Sequence, residues 1–261
     1  MGLAMLKARL TESFRQMTGL HWLLLFGGIL LAWSALFAMS VPAELRAAGV
    51  VYGDGFWLQL CTMSPDAAGG ARMVLMWILM SAAMMAPTAL PAFATYDDLS
   101  QSASGTRFGD LVLGYLAVWV GFSLLAAAGQ MALLRADLIS VFGDSRSGLL
   151  SGLLLLLAGG YQFAPLKEAC LSKCRRPLVF FMQHWEEGPL RNGVRLGVLC
   201  LGCCWALMLL AFVGGVMNLA FMGLATLFMV LEKLPEIGRW LTRPMGAVLL
   251  ASGLWVIVTT V

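Results

Sequence analysis

Charged side chains are scarce in this sequence, and histidine is almost missing. Asp, Glu, Lys and Arg make up 12% of the 261 residues, and there are two His. An ordinary soluble domain has about 25% charged and about 45–50% apolar residues, whereas 60% of this chain is hydrophobic. A chain of this length cannot bury such an apolar surplus in one or two cores. The composition therefore excludes a soluble enzyme, a disulfide-rich secreted module, a nucleic-acid binder and a disordered chain.

Seven apolar stretches approach or exceed the roughly 20 residues that a transmembrane helix needs. They cover residues 21–40, 73–93, 110–133, 147–163, 194–213, 216–234 and 245–261. Strands of a membrane barrel are shorter and alternate apolar with polar side chains, which runs such as 153–157 do not. We therefore predict an all-α bundle of about seven transmembrane helices, forming one integral membrane domain over residues 1–261.

The distribution of Lys and Arg sets the predicted orientation. Most of the 17 Lys and Arg residues fall in a short basic leader at 1–19 and in the second, fourth and sixth predicted loops. Because Lys and Arg are retained on the cytoplasmic side, we place the N-terminus in the cytoplasm. We expect an integral protein of a bacterial inner (cytoplasmic) membrane.

Sulfur-containing side chains are abundant, with 17 Met and 6 Cys. In the second predicted span Met76, Met80 and Met84 recur every four residues, which places them within an arc of about 80° on one helix. Met is also a flexible filler of irregular cores, so the stripe fits either packing or a line of soft ligands. Pro87 and Pro91 follow, and we expect them to kink or end the helix.

A second cluster of sulfur ligands lies between the fourth and fifth predicted spans. Pro165 favours the start of a short helix, on which Cys170 and Cys174 share one face at about 5–6 Å between Cβ atoms. Lys and Arg residues surround these thiols, and positive neighbours favour the thiolate that ligates metals. The alternative interpretation is a pair of small interfacial residues or lipidation sites.

A third cluster draws on two predicted spans. Its members are Cys200, Cys203, Cys204, Met208, Met217 and Met222. Spacings of three and four residues make Cys200 face the two later thiols and make Cys204 face Met208. Buried Cys also packs as a small hydrophobe, which is the alternative. No Arg or acidic residue sits clearly beside these thiols within a predicted span. Glu232 and Lys233 fall at a span end, where we expect them to stabilise the helix end and contact lipid headgroups, or to act in gating.

Ligand softness selects the metal. Thiolates and thioethers without carboxylates or imidazoles favour Cu(I), whereas zinc normally recruits His together with Cys. The two His, His21 and His184, lie outside the clusters. We therefore predict Cu(I) as the bound ion, with these ligands: Met76, Met80, Met84, Cys170, Cys174, Cys200, Cys203, Cys204, Met208, Met217 and Met222.

Residues 73–238 carry a family resemblance in three main runs. The runs are Met76-Trp77-x-x-Met80-x-x-x-Met84-Met85-x-Pro87, Lys167…Cys170…Cys174-Arg175 and Gly202-Cys203-Cys204-Trp205-x-x-Met208. In these motifs the chain resembles the family of predicted metal-binding integral membrane proteins, a domain of unknown function. Phe221 stands where the family commonly has Trp, and Ala164 where it often has Thr, and neither change removes a sulfur ligand. The resemblance implies membrane insertion and metal binding.

We therefore predict an integral membrane protein that binds Cu(I) and acts in copper transport or in delivery to a membrane enzyme. The expected partners are the lipid bilayer, a copper chaperone or cuproenzyme and a second copy of the chain, without nucleic acid. The sequence contains no phosphate-binding loop, catalytic triad or carboxylate pair, so we predict no enzyme. Two alternatives stay open: a membrane thiol oxidoreductase that uses Cys pairs, and a structural membrane subunit without a ligand.

Overall fold

The computed structural model describes residues 19–40, 66–101, 107–140, 143, 145–216 and 218–260. The described residues form α-helices joined by short connections, which confirms the all-α prediction for this part of the chain. In chain order the helices are α1 (Leu20–Ser40), α2 (Ala67–Gln101), α3 (Phe108–Arg135), α4 (Gly148–Tyr161), α5 (Pro165–Cys174), α6 (Pro177–His184), α7 (Pro189–Leu209), α8 (Ala211–Gly214), α9 (Leu219–Lys233) and α10 (Gly238–Thr260). A 3-10 turn at Trp185–Glu187 links α6 to α7.

The apolar helices are compatible with membrane insertion. Within the described ranges, five segments are long and apolar enough to cross a membrane: α1, α2, α3, α10 and the Pro189–Gly214 segment made of α7 and α8. A sixth candidate is α4 together with α5, which meet at an angle of 63°. The predicted number of about seven spans is therefore not confirmed.

The difference between the predicted number of spans and the number of candidates in the structure comes from the stretch predicted at 216–234. Its helix, α9, has 15 residues, fewer than the roughly 17 that a span needs. The side chain of Asn218 accepts a hydrogen bond from the backbone N–H of Phe221, which caps the helix and fixes its start. Pro235 follows the other end and disfavours helical backbone at the residue before it.

Helix α2 runs through both of its prolines to Gln101, so of the two expected effects, a kink or an end of the helix, the end is wrong and the kink stays a prediction. A proline removes the hydrogen bond to the carbonyl four residues earlier. For Pro87 that carbonyl belongs to Ala83, and the indole N–H of Trp33 in α1 donates to it at 3.0 Å. A neighbouring helix thus satisfies the acceptor that the proline leaves free, as backbone in an apolar environment requires.

Glycines bring two helix pairs into backbone contact. In the α3–α7 pair, a Cβ placed on Gly193 would lie 2.1 Å from the carbonyl oxygen of Leu111. In the α4–α10 pair, a Cβ on Gly152 would lie 3.0 Å from the carbonyl oxygen of Gly253. Small residues at such contacts let helices approach closely. Helix α5 begins at Pro165, as predicted, and packs on α7, whereas α9 packs on α2.

Candidate metal centre

Three thiols converge on one stretch of α7. The sulfur atoms of Cys200, Cys203 and Cys204 all lie within 4.8 Å of one another, and each side chain is 1% exposed. The sulfurs of Cys203 and Cys204 are 3.2 Å apart. A metal–thiolate bond of about 2.3 Å, as zinc has, would separate the three ligands of a trigonal site by about 4 Å. Small side-chain rotations therefore allow this cluster to hold one soft metal ion.

The two thiols of α5 approach the same stretch of α7 in different ways. Cys174, at the C-terminal end of α5, lines one cavity together with Cys200, which brings it near the cluster. Cys170, one turn earlier, packs on Gly202, where a Cβ would lie 2.6 Å from its sulfur. The described thiols that lie within mutual reach of one metal ion are those of α7, and Cys170 stands beside them.

The predicted thioether ligands are buried side chains on three helices. Each is at most 3% exposed: Met76, Met80, Met84, Met208 and Met222. Burial of this kind fits packing as well as ligation, so copper ligation by these thioethers stays a prediction. The predicted ligand Met217 lies outside the described residues.

The ammonium group of Lys233, at the C-terminal end of α9, contacts the thiol cluster. Its Nζ donates hydrogen bonds to Cys200 Sγ at 2.9 Å and to Thr88 Oγ1 at 2.6 Å. The hydroxyl oxygen of Tyr115 lies 3.1 Å from the same sulfur. We expected Lys233 at a span end, in contact with headgroups or in gating. In the structure Lys233 is 8% exposed, and its ammonium is engaged by Cys200 and Thr88. A role in gating stays a prediction.

Buried charges of opposite sign and unequal number lie at α5 and α9, the two helices that line the cavity beside Cys200. Lys167 donates to the Glu232 carboxylate at 2.9 Å, and both side chains are 1% exposed. The guanidinium of Arg175 donates twice to the backbone carbonyl of Glu232 and lies 3.6 Å from the exposed carboxylate of Glu168. Among the described residues, no carboxylate lies within 4 Å of the Lys233 ammonium. Since a buried charge must be compensated, the neighbouring sulfur is the group that can supply the negative charge, as a thiolate.

A cavity of about 210 Å³ leads to this cluster. Its walls come from α2, α3, α5, α7 and α9, and they include Thr88, Tyr115, Cys174, Cys200 and Lys233. The cavity therefore connects the thiol at the end of α5 with the thiol that Lys233 contacts. Its volume exceeds the roughly 30 Å³ that one water molecule occupies in the liquid, so a small ligand can enter it.

The comparison with known families agrees with this geometry. A family model described as PpoB2, a copper chaperone, matches residues 74–256. The chain belongs to this copper chaperone family. The metal-binding part of the resemblance drawn from the sequence is thereby confirmed, and copper is the metal that the family description names. Searches of curated proteins and of solved structures each give no match.

The donor set of this member of the family suits a soft ion. Thiolates select Cu(I) and zinc among the common metals, and zinc normally takes His as well as Cys. His21 pairs with Asp97 at 3.2 Å, and His184 shares a hydrogen bond with the carbonyl oxygen of Phe180 at 2.8 Å. Both imidazoles are engaged away from the thiol cluster, which leaves sulfur as its ligand chemistry.

Sequence reasoning missed the polar partners of the thiols. Thr88, Tyr115 and Lys233 contact Cys200, and none of them was among the predicted site residues. For Lys233 a signal existed, because an ionisable residue that closes an apolar helix is a functional candidate by default. For Thr88 and Tyr115 no local pattern distinguishes them from other polar residues of apolar helices.

Proposed function

We propose that this copper chaperone is an integral membrane protein that holds Cu(I) on Cys200, Cys203 and Cys204 and delivers it to a membrane copper enzyme. The observation that carries the proposal is the group of three buried sulfurs within 4.8 Å of one another. The Lys233 ammonium, 2.9 Å from the first of them, supports it. Soft thiolates without imidazole favour Cu(I) over other common ions.

The charges around the cluster favour a complex of Cu(I) with three thiolates. Such a complex carries two negative charges, one for each thiolate beyond the first. The buried ionic groups nearby are Lys167, Arg175 and Lys233, which are positive, and Glu232, which is negative. Together they carry two positive charges, so the loaded site is electrically balanced among its buried groups. A balanced site avoids the large cost of an uncompensated charge in an apolar environment.

Loading of the site requires a change in protonation. Ligand thiols bind metals as thiolates, so binding releases their protons. In the empty site Cys200 is the thiolate that balances Lys233, whereas Cys203 donates its S–H to the Cys200 carbonyl oxygen at 3.1 Å. We therefore expect about two protons to leave when Cu(I) binds, one each from Cys203 and Cys204.

Copper moves through the cavity by ligand exchange between sulfurs. Cys174 lines the cavity together with Cys200, so it can form a bond to copper while a bond to another thiolate breaks, and the proton of the Cys174 thiol passes to the thiolate that is released. The oxidation state of copper does not change in such a step. A thiol on an acceptor protein completes delivery in the same way, by replacing Cys174 as ligand.

The first experiment measures copper binding by the detergent-purified protein. Elemental analysis should find one copper per chain, and competition with a chromogenic Cu(I) chelator should give its affinity. Ser in place of Cys200, Cys203 and Cys204 together should abolish binding, whereas Cys170→Ser is the matched control and should retain one copper. Equal copper content in the triple variant and the control would contradict the assignment of the site.

The second experiment tests delivery and membrane insertion. Membranes washed with alkaline carbonate should retain the protein if its apolar helices span the bilayer. In cells that lack the protein, a copper-dependent membrane enzyme should lose its metal and its activity, and the Cys174→Ser variant should restore less activity than the wild type. Unchanged enzyme loading in the deletion strain would refute the delivery role, while leaving the copper-binding result intact.

A further inference from the structure

A second pocket is lined by residues of α5 that do not line the cavity of the thiol cluster. It has a volume of about 420 Å³ and lies between α5, α6 and α7. Three cations line it, Lys173, Arg176 and Arg195, together with the polar side chains of Ser172 and Gln183. The proposed copper chemistry uses none of these residues.

The charge of this pocket is strongly positive. Arg195 pairs with Glu187 at 2.6 Å, which compensates one of the three cations. Among the described residues, no carboxylate lies within 4 Å of Lys173 or Arg176. The adjacent Arg175 instead donates to the Glu232 carbonyl and lines the cavity beside the thiols. Of the basic residues at the end of α5, Lys173 and Arg176 therefore belong to this pocket and Arg175 to the thiol site. The surplus of positive charge favours an anionic ligand.

The pocket continues into an apolar groove. Val198 lines the basic pocket and also lines a groove of about 1090 Å³ between α3, α4 and α7. The groove extends along α7 as far as Trp205 and beyond. Arg195 and Trp205 are ten residues apart on this helix, which corresponds to about 15 Å along its axis. Val198 is 55% exposed, so the junction of pocket and groove is open to the surroundings.

We propose that this surface binds an anionic phospholipid. The headgroup phosphate occupies the basic pocket and contacts Lys173, Arg176 and Arg195, and an acyl chain lies in the apolar groove along α7. The proposal rests on the proposed membrane location. Arg and Lys are the side chains that bind phosphate, and basic pockets beside membrane helices take anionic headgroups. The apolar groove commits the site to a lipid, because a free phosphate has no part that would fill it.

The test is native mass spectrometry of the full-length protein in a neutral detergent. We expect bound phosphatidylglycerol and little bound phosphatidylcholine at equal concentrations. A variant with Lys173→Gln, Arg176→Gln and Arg195→Gln should bind phosphatidylglycerol about 100-fold more weakly, since each cation near an anionic surface contributes about a factor of five. Added inorganic phosphate should not displace the lipid.

Charge-matched and folding controls complete the design. The variant with Arg135→Gln, Arg239→Gln and Arg243→Gln removes the same charge outside the pocket and should bind the lipid as the wild type does. Both triple variants should retain copper, which reports an intact fold and keeps this test separate from the proposed function. Equal binding of the two lipids, displacement by inorganic phosphate, or equal lipid affinity of the two triple variants would each overturn the proposal.

Discussion

The buried ion pair of Lys167 and Glu232 allows a quantitative test of the charge arrangement around the thiols. Both side chains are 1% exposed, and the ammonium is 2.9 Å from carboxylate oxygen Oε2. The other oxygen, Oε1, is buried and has no hydrogen-bond partner among the described residues. The Lys167→Met variant removes the ionic partner and leaves this carboxylate uncompensated. Removal of one partner of a buried pair typically costs about 3–5 kcal/mol of stability.

The double variant Lys167→Met/Glu232→Leu should behave differently. It removes one positive and one negative charge, and apolar side chains of similar size replace a buried pair at little or no cost. We expect its free energy of unfolding to lie within about 1 kcal/mol of the wild-type value, because such replacements are neutral or stabilising and we take them as neutral here. Its Cu(I) affinity should be unchanged, because the net charge around the thiols is the same.

The assay is reversible unfolding in mixed micelles of sodium dodecyl sulfate and a mild detergent, followed by helical circular dichroism. The free energy of unfolding of the wild type, the two single variants and the double variant then gives the coupling between the two residues. A double variant destabilised by the sum of the two single effects would refute the reasoning, because the two charges would then act independently.

Three further predictions concern the site and the helix packing. Lys233→Met should weaken Cu(I) binding about 10–100-fold, as loss of a group that supports metal ligands does, and Lys233→Arg should restore part of it, both measured by chelator competition. Gly193→Ala should lower the free energy of unfolding by about 1–3 kcal/mol through overpacking, since its Cβ would lie 2.1 Å from a carbonyl oxygen of α3. Met76→Leu with Met80→Leu should preserve the fold, since such swaps cost less than about 1.5 kcal/mol, and should lower cellular copper accumulation, because it removes two of the predicted thioether ligands of copper.

Each of these has a control or a contradicting result. Equal Cu(I) affinity of the Lys233→Met variant and the wild type would show that the Lys233 ammonium does not contribute to metal binding. Gly129→Ala is the matched helix variant, because a Cβ there meets nothing within 4 Å, and it should not destabilise the protein. Unchanged copper accumulation in the double Met variant would assign the buried thioethers to packing alone.

The sequence allowed the thiol cluster to be predicted because its geometry is local. Spacings of three and four residues bring Cys200, Cys203 and Cys204 to one helix face whatever the rest of the bundle does. The start of α5 at Pro165 was predictable for the same reason, since proline at the first helical position acts within one turn. Both features depend on a few consecutive residues.

The surroundings of the thiols could not be predicted in this way. Lys233 reaches Cys200 across 33 positions of sequence, and Glu232 reaches Lys167 across 65. A single sequence contains no signal for such pairings, and hydropathy alone places charged residues at the ends of spans. The path of α2 through Pro87 depends in the same way on Trp33, which belongs to another helix.

The placement of all three sulfurs on α7 separates two properties that metal sites usually share. The spacing of the three sulfur ligands is set within about one turn of α7, whereas the charges that compensate the thiolates lie on α9 and α5. A substitution in α5 or α9 would therefore tune how tightly the proposed copper ion is held without replacing any ligand atom. Variants that remove the charges of α5 and α9 and keep all three sulfurs would therefore measure, through their copper affinity, what the bundle itself adds.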